Sequence, residues 1–427
     1  MSSESIVDLS GRIAANTAKV HQYLVAHNLP QPSFNEDAPV PGLIPENAPE
    51  IQAARMAIIR DTLELRRLML GCTPREYLMS FTPNENLSLQ ATVRFDLAKT
   101  FPVEGEASFA DIAAATGVLS EASTRQLVRH AITKNIFREP RPGVVAHSSI
   151  SRLLAEDAII HGWAGAAFDE LWQAATHTCS ALAKYPGSEE PNETGFSVAN
   201  QTDKPMYEFF STVPERAQRF SNAMTAFSEG KGGLVSYVTD YFPWEQLGRG
   251  TVVDVGGSAG LVCHALARKF PDLKLIVQDL PPVVEIAKKQ APIDLEGRVE
   301  YMAHDFFNEQ PVREADVYIF REIFHNWSEK YCVRILRNHI RALKPGARIL
   351  VMDIVLPHAG SISRAEDEYI RNMDLVMLEL FNAREREMED WKALFEMADS
   401  RFEFKGGSLP EGSNKWILVA EWKGASG

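Results

Sequence analysis

The sequence predicts an α/β protein in which a doubly wound, mostly parallel sheet of seven strands follows an α-helical N-terminal region. Three observations carry this. From Gly250 onward, short apolar runs alternate with helical stretches, and the runs TVVDV, LKLIVQD, RVEYMAHD, ADVYIFRE and RILVMDIVLP end in polar residues. The first run breaks into a glycine-rich turn, VVDVGGSAG, before a helix. The chain closes on RFEFKGG and KWILVAEWK, which read as an antiparallel pair. Strands joined by crossover helices imply a Rossmann-like parallel sheet covered on both faces, here with a terminal hairpin added at one edge.

A chain of 427 residues exceeds one ordinary core, so several domains are expected. Apolar residues at helical spacing (Ile6, Leu9, Ile13, Val20, Leu24) predict a first amphipathic helix over 4–27. The Pro-rich stretch NLPQPSFNEDAPVPGLIPENAP cannot sustain a helix and reads as a draped loop. A long helix returns over 49–70, with Pro49 suited to its first turn. Residues 88–154 have the rhythm of a winged helix: Ser108 and Ser120 stand at N-cap positions, Gly117 ends the middle helix, and a hairpin turns at Pro142-Gly143. Residues 156–246 look helical and rich in aromatics and Met, and the cluster MYEFF followed by FSNAMTAF could line a pocket for a flat apolar ligand. The implied organisation is 1–87 (helices and Pro-rich arm), 88–155 (winged helix), 156–246 (helical, pocket-forming) and 247–427 (the α/β domain). Helices LVCHALARKF, PPVVEIAKKQ and EKYCVRILRNHIRAL, and one from about Arg364 to Phe381, separate its strands.

Composition excludes several classes. The formal net charge of −13 opposes binding to nucleic acid or anionic membranes, which need surplus Lys and Arg, and the candidate recognition helix carries only Arg125, Arg129 and His130. Cys72, Cys179, Cys263 and Cys332 lie far apart without a C-x-x-C pair, which predicts reduced, mostly buried thiols rather than disulfides or zinc. The first residues lack a basic segment followed by an apolar one, and no apolar run is long enough to span a bilayer, so a cytoplasmic location is expected.

In VVDVGGSAG, Gly256, Gly257 and Gly260 allow a tight turn and close approach of a ligand to the backbone. The spacing is not G-x-G-x-x-G, and Asp254 stands immediately before the turn, where it would repel a pyrophosphate but suit the ammonium of an amino-acid-bearing ligand. Asp279 ends the second strand, 25 residues on, where it can accept from ribose hydroxyls. Asp305 ends the third, where it can accept from an adenine amino group while Phe306 covers the ring. Successive strand ends place these acids at the crevice where open α/β sheets bind ligands.

The segments VDVGGSAG, QDLP, HDFF, FHNWSEKYCVRILRNHIRALKPGARILVMDIVLP and NAREREMEDWKALFEMADSRF resemble the successive motifs of class I O-methyltransferases of the plant caffeate/isoflavone type and their fungal polyketide-tailoring relatives. The resemblance is strong over the C-terminal domain and looser from about residue 88. It implies S-adenosylmethionine as cofactor, a small-molecule acceptor, and an N-terminal dimerisation domain that contributes to a partner's pocket. Arg321, in FRE, matches a basic position bordering the cofactor. The resemblance also assigns a general base, His325 in FHNW, oriented by Asp353 at the end of VMD and Glu385 in NARERE. A base of near-neutral pKa suits removal of a phenolic proton during in-line methyl transfer. Where plant members usually carry Asp after that His, this chain has Asn326. Glu379 and Glu387 read as solvated or structural. No paired Asp/Asn cluster suggests magnesium-dependent chemistry, so no metal is expected.

Candidate pocket residues are His161, Met206, Phe210, Met224, Met377 and Phe381. Two functional readings stand at this point. One is an O-methyltransferase acting on a phenolic or polyketide-type hydroxyl. The other is a pericyclase of the same fold, which binds S-adenosylmethionine without transferring methyl and polarises its substrate through groups such as His161 and Arg321.

Overall fold

The computed structural model describes residues 5–35, 37, 38, 44, 45, 48–71, 82–228 and 233–424. It divides into two compact units, Met1–Asp169 with Arg219–Ala223, and Glu170–Gln218 with Met224–Gly427.

In the first unit, the helices Ile6–Ala26 and Pro49–Leu70 pack together, burying Leu24, Val20, Ile44 and Ala54 between them. Ser5 caps the first helix by accepting from the Asp8 N–H, and Pro49 opens the second. From the described residues of the Pro-rich segment, the Phe34 carbonyl accepts from the Ser149 N–H and the Ala38 carbonyl from Arg152. A buried Asp61 sits between Arg12 and Arg60, which together hold its carboxyl below the usual range against the cost of burial.

Further on, Ser108 forms a capping box with Asp111 at the start of helix Phe109–Thr116, and Gly117 at φ 69° ends it. Helix Glu121–Ile132 follows, capped by Ser120. Strands β1 (Glu106–Ser108), β2 (Phe137–Arg141) and β3 (Val144–His147) form an antiparallel sheet in the order β1-β3-β2, its hairpin turning at Pro142-Gly143. Phe109, Ile112, Val128, Phe137 and Val145 form the core beneath them.

The second unit contains the seven-stranded sheet. Its strands are β4 (Thr251–Val255), β5 (Lys274–Asp279), β6 (Val299–Ala303), β7 (Val317–Arg321), β8 (Arg348–Asp353), β9 (Phe402–Ser408) and β10 (Trp416–Trp422). The order is β6-β5-β4-β7-β8-β10-β9, with β4 to β8 parallel and β10 antiparallel to both its neighbours. Strand order reverses between β4 and β7, which opens a crevice at their carboxyl ends. β-rich runs such as VYIF and ILVM are buried on both faces, as a parallel sheet requires. Two apolar layers cover it, one around Phe320, Ile335, Trp391 and Phe395, the other around Trp244, Leu266, Val277 and Met352.

The sequence does not announce the π-helical turn Ala166–Leu171, which lies inside a continuous helical pattern. Cys263 and Cys332 are buried, free thiols; Cys179 is free but exposed, and Cys72 lies outside the described residues. No helix among the described residues is long and apolar enough to cross a membrane.

Candidate active site

The glycine-rich turn after β4 is held by its neighbour strand: the amides of Gly256 and Gly257 donate to the Gln278 carbonyl at 2.8 and 3.0 Å. Gly256 adopts φ 72°, and a Cβ there would lie 2.6 Å from Ile323 Cδ1. A Cβ on Gly257 would meet Asp254 Oδ2 at 2.6 Å, so the missing side chain is what leaves room for that carboxylate. Ser258 is also left-handed, at φ 50°, which turns its N–H onto Asp279 Oδ2 at 2.9 Å. Asp279 Oδ1 accepts from the Leu280 N–H at 2.7 Å. One amide on each oxygen fixes this carboxylate. Burial nevertheless raises its pKa, against the lowering effect of the two amides.

Asp254 is buried, and its Oδ2 has no hydrogen-bond partner. Burial pushes its pKa up to about 7, with the Arg321 guanidinium pulling down and Asp279 adding to the rise. An orphaned acid beside a turn that only glycine fits is a vacancy in the hydrogen-bonding pattern suited to a cationic ligand group. Arg321, at the end of β7, donates from Nη2 to the Gly233 carbonyl at 2.7 Å, while its buried Nε finds no partner. Burial lowers its pKa, and the charges of Asp254 and Asp353 work against that. Asp305 Oδ1 accepts from the Phe307 N–H at 2.9 Å, which turns the chain so that Phe306 meets Trp327 edge-on at 6.0 Å.

His325 lies on the single 3-10 turn Phe324–Asn326 that follows β7. Its Nδ1 is 3.0 Å from Glu385 Oε1. Glu385 is fully buried, whereas the His325 side chain keeps 13% of its surface accessible. Burial alone would lower the His325 pKa; the charges of Glu385 and Asp353 and the Glu385 hydrogen bond outweigh it and raise it, with Arg386 pulling the other way. Asp353, at the end of β8, is completely buried; no side chain hydrogen-bonds its carboxylate, which faces the backbone N–H of His325. Burial pushes it up to about 7, offset in part by His325. So the three residues are brought together, but only Glu385 bonds the ring; Asp353 acts on it through charge. Asn326 is turned away from the ring, donating from Nδ2 to the Glu322 carbonyl at 3.0 Å.

The candidate pocket residues separate. Met206, Phe210, Met377 and Phe381 are buried, Phe210 edge-on to Phe196 at 5.6 Å. Met224 is 41% exposed. His161 belongs to the first unit, where its Nε2 lies 2.8 Å from Asp96; burial lowers its pKa. Glu387 caps helix Met388–Ala398, and Glu379 is half-buried, its pKa pushed up to about 7 by burial.

Sequence reasoning missed Glu322, Lys415 and Arg386, and reached Tyr207 only as a member of the cluster MYEFF. Tyr207 stacks on Phe381 with centroids 5.6 Å apart. It keeps 49% of its surface accessible, yet the desolvation of its hydroxyl and the charge of Asp279 push its phenol up to about 12. Glu322, left-handed at φ 58°, forms a partly buried ion pair with Lys415, whose pKa burial and Arg321 bring down to about 7. Arg386, wholly buried, bonds the turn that bears His325. Only strain and burial mark Glu322, Lys415 and Arg386, and neither is visible in a linear pattern.

This sheet order, the glycine turn and the acids at successive strand ends define a class I S-adenosylmethionine-dependent methyltransferase. Comparison with known proteins agrees: residues 189–401 match the O-methyltransferase domain. The chain is 42% identical to the grayanic acid biosynthesis cluster O-methyltransferase of Cladonia grayi, over 98% of this chain and 88% of that protein. It is 42% identical to O-methyltransferase pyvH of Aspergillus violaceofuscus, over 99% and 100%. Against the chlorophenol O-methyltransferase of Trichoderma longibrachiatum it is 39% identical, over 97% and 89%. The chain therefore belongs to the S-adenosylmethionine-dependent O-methyltransferase family. Solved structures share the fold at low identity: OxaC superposes with a TM-score of 0.75 at 21% identity over 98% of this chain and 99% of that one. LepI in complex with SAM gives 0.70 at 21%, over 97% and 99%.

Proposed function

We propose that His325 is the general base of an O-methyltransferase acting on a phenolic or polyketide-type hydroxyl. The observation that carries this is the His325–Glu385 couple: a buried carboxylate on Nδ1 and a ring with accessible surface. A carboxylate only accepts, so the Nδ1 proton belongs to His325 and the lone pair lies on Nε2. Nε2 takes the acceptor's hydroxyl proton as the oxygen becomes nucleophilic. The imidazolium that forms is stabilised by Glu385 through a charge-assisted bond and by Asp353 through space.

Asp254, Gly256, Gly257, Asp279, Asp305, Phe306 and Arg321 would hold the cofactor. When bound, S-adenosylmethionine supplies an electrophilic methyl with a good leaving group. Asp254 suits its ammonium, and Asp279, its carboxylate held in a fixed direction by the two backbone amides, can accept from its ribose hydroxyls. Tyr207, Met377 and Phe381 suit a flat apolar acceptor. The names of relatives, one of them a chlorophenol O-methyltransferase, support a phenol.

We also read the chain as a homodimer built on its N-terminal region, including the winged-helix segment 88–155. Support comes from the first two helices, which leave Val7, Met56, Ile59, Leu68 and Met69 between 46% and 74% exposed.

Incubation with methyl-labelled S-adenosylmethionine and a panel of phenols tests the function. Label in an ether product with equal release of S-adenosylhomocysteine is expected. Substrate conversion that leaves the cofactor unconsumed would replace methyl transfer by the pericyclase reading.

A further inference from the structure

We infer that Arg386 is a positioning residue for this reaction: its guanidinium fixes the backbone turn that carries His325, while its neighbour Glu385 fixes the ring. The inference rests on the reading of His325 as the base. Arg386 is 0% exposed. Its Nη1 donates to the Phe324 carbonyl at 2.9 Å and its Nη2 to the Trp327 carbonyl at 2.9 Å. These two carbonyls bracket the 3-10 turn Phe324–Asn326, so the two arms of one planar fork grip the turn on both sides of His325. Nη2 also donates to Cys332 Sγ at 3.2 Å, and Nε faces Glu329 at 3.2 and 3.3 Å, which supplies the counter-charge from the first turn of helix Glu329–His339.

The backbone completes the arrangement. The Arg386 carbonyl accepts from the Leu356 N–H at 2.8 Å, and Val355 and Arg386 form a parallel bridge just beyond β8. Asp374 Oδ1 accepts from the Glu385 N–H at 2.9 Å. The dipeptide is thus anchored to the chain that leaves Asp353, and it holds both the ring and the loop of His325. A lysine at 386 would keep the charge but lose the fork, since an ammonium cannot span two carbonyls and a carboxylate in one plane. A buried arginine is expensive to desolvate, and filling the same space with apolar atoms would stabilise the fold at least as well. Holding a loop in register is what the apolar alternative cannot do.

Arg386 also contributes charge. Burial lowers the His325 pKa, Glu385 and Asp353 raise it, and Arg386 opposes the rise. The test uses full-length Arg386→Lys and Arg386→Gln, with His325→Ala in parallel. Both Arg386 variants should lose kcat by about 10- to 100-fold, with the dissociation constant for S-adenosylmethionine within about twofold of wild type. In Arg386→Gln the rising limb of the pH–rate profile should move to higher pH; in Arg386→Lys, which keeps the charge, it should stay. If Arg386→Gln does not fold, Arg386→Lys carries the test alone through its split of kcat from cofactor affinity. Wild-type kcat in a folded Arg386 variant, or equal losses of kcat and cofactor affinity, would overturn the inference. If His325→Ala itself keeps full turnover, the base reading falls; if His325→Ala loses turnover while Arg386→Lys keeps it, only this inference falls.

Discussion

Replacing Glu385 by Gln keeps the shape of the residue that bonds His325 but removes its charge. Glu385 is fully buried and accepts at 3.0 Å from His325 Nδ1, so little solvent screens the loss. A hydrogen bond to a charged group contributes about 1.5–3 kcal/mol, a neutral one about 0.5–1.5. The difference of about 1–1.5 kcal/mol applies to the imidazolium formed as the proton leaves the acceptor, and each 1.36 kcal/mol is tenfold in rate. The expected loss is therefore roughly tenfold in kcat, smaller than for removing the ring, because Asp353 stays in place. The pH dependence has a definite sign. Activity requires neutral His325, so rate rises with pH through its pKa, which Glu385 and Asp353 hold above the ordinary value against the effect of burial. Removing the Glu385 charge lowers that pKa, and the rising limb should shift to lower pH. Steady-state kcat from about pH 5 to 9 with a phenol of high pKa measures both effects. An unmoved limb together with full kcat would refute the orienting role of Glu385.

Other consequences follow from the same geometry. Asp279→Ala should weaken S-adenosylmethionine binding by about 30-fold or more, from two ribose hydrogen bonds at roughly 1–1.5 kcal/mol each, and calorimetry on the folded variant would show it. Gly257→Ala places a methyl 2.6 Å from Asp254 Oδ2 and 2.7 Å from its Cγ, so calorimetry should show cofactor affinity down by about tenfold or more and a lowered melting temperature. Asp353→Asn should lower turnover yet stabilise the ligand-free protein. The folded pKa of about 7 lies above the unfolded value near 3.9, so stability is lost as pH rises between them and stays lost above. The melting-temperature advantage of the variant should therefore grow from pH 4 to pH 8, by about 3–6 °C, and a pH-independent difference would refute the assignment. Sedimentation at micromolar concentration should give a particle of twice the 47.6 kDa chain mass; a monomer would remove the dimer.

Much of the fold was legible in the linear pattern. Buried parallel strands are continuous apolar runs, and VYIF, ILVM and the other runs have no alternative when crossover helices separate them. Capping chemistry marked Ser108, Ser120 and Gly117 because each satisfies a backbone group locally. The site was legible where its residues stand at strand ends. It was not legible where tertiary burial decides: Arg386 and Lys415 look like surface cations in NARERE and SNKW, and only packing shows them enclosed. The cluster MYEFF shows the limit well. Met206 and Phe210 are buried among aromatics, while Tyr207 between them stays half-exposed, because a short helix fixes which side turns inward. The π-helical turn at Ala166–Leu171 escaped for the same reason, its residues being compatible with an ordinary helix.

The central claim is that His325 removes the proton from the acceptor, and His325→Ala measured in two assays tests it most directly. The ring bonds Glu385, whereas the candidate cofactor residues are fixed by their own backbone contacts, so the dissociation constant for S-adenosylmethionine should stay within about twofold of wild type. Turnover with a weakly acidic phenol should fall by about 10²–10⁴-fold, the range for loss of a positioned base, and should recover in part at high pH with acidic phenols that ionise unaided. Full turnover in a folded His325→Ala variant, or a loss of cofactor affinity equal to the loss of rate, would contradict the account.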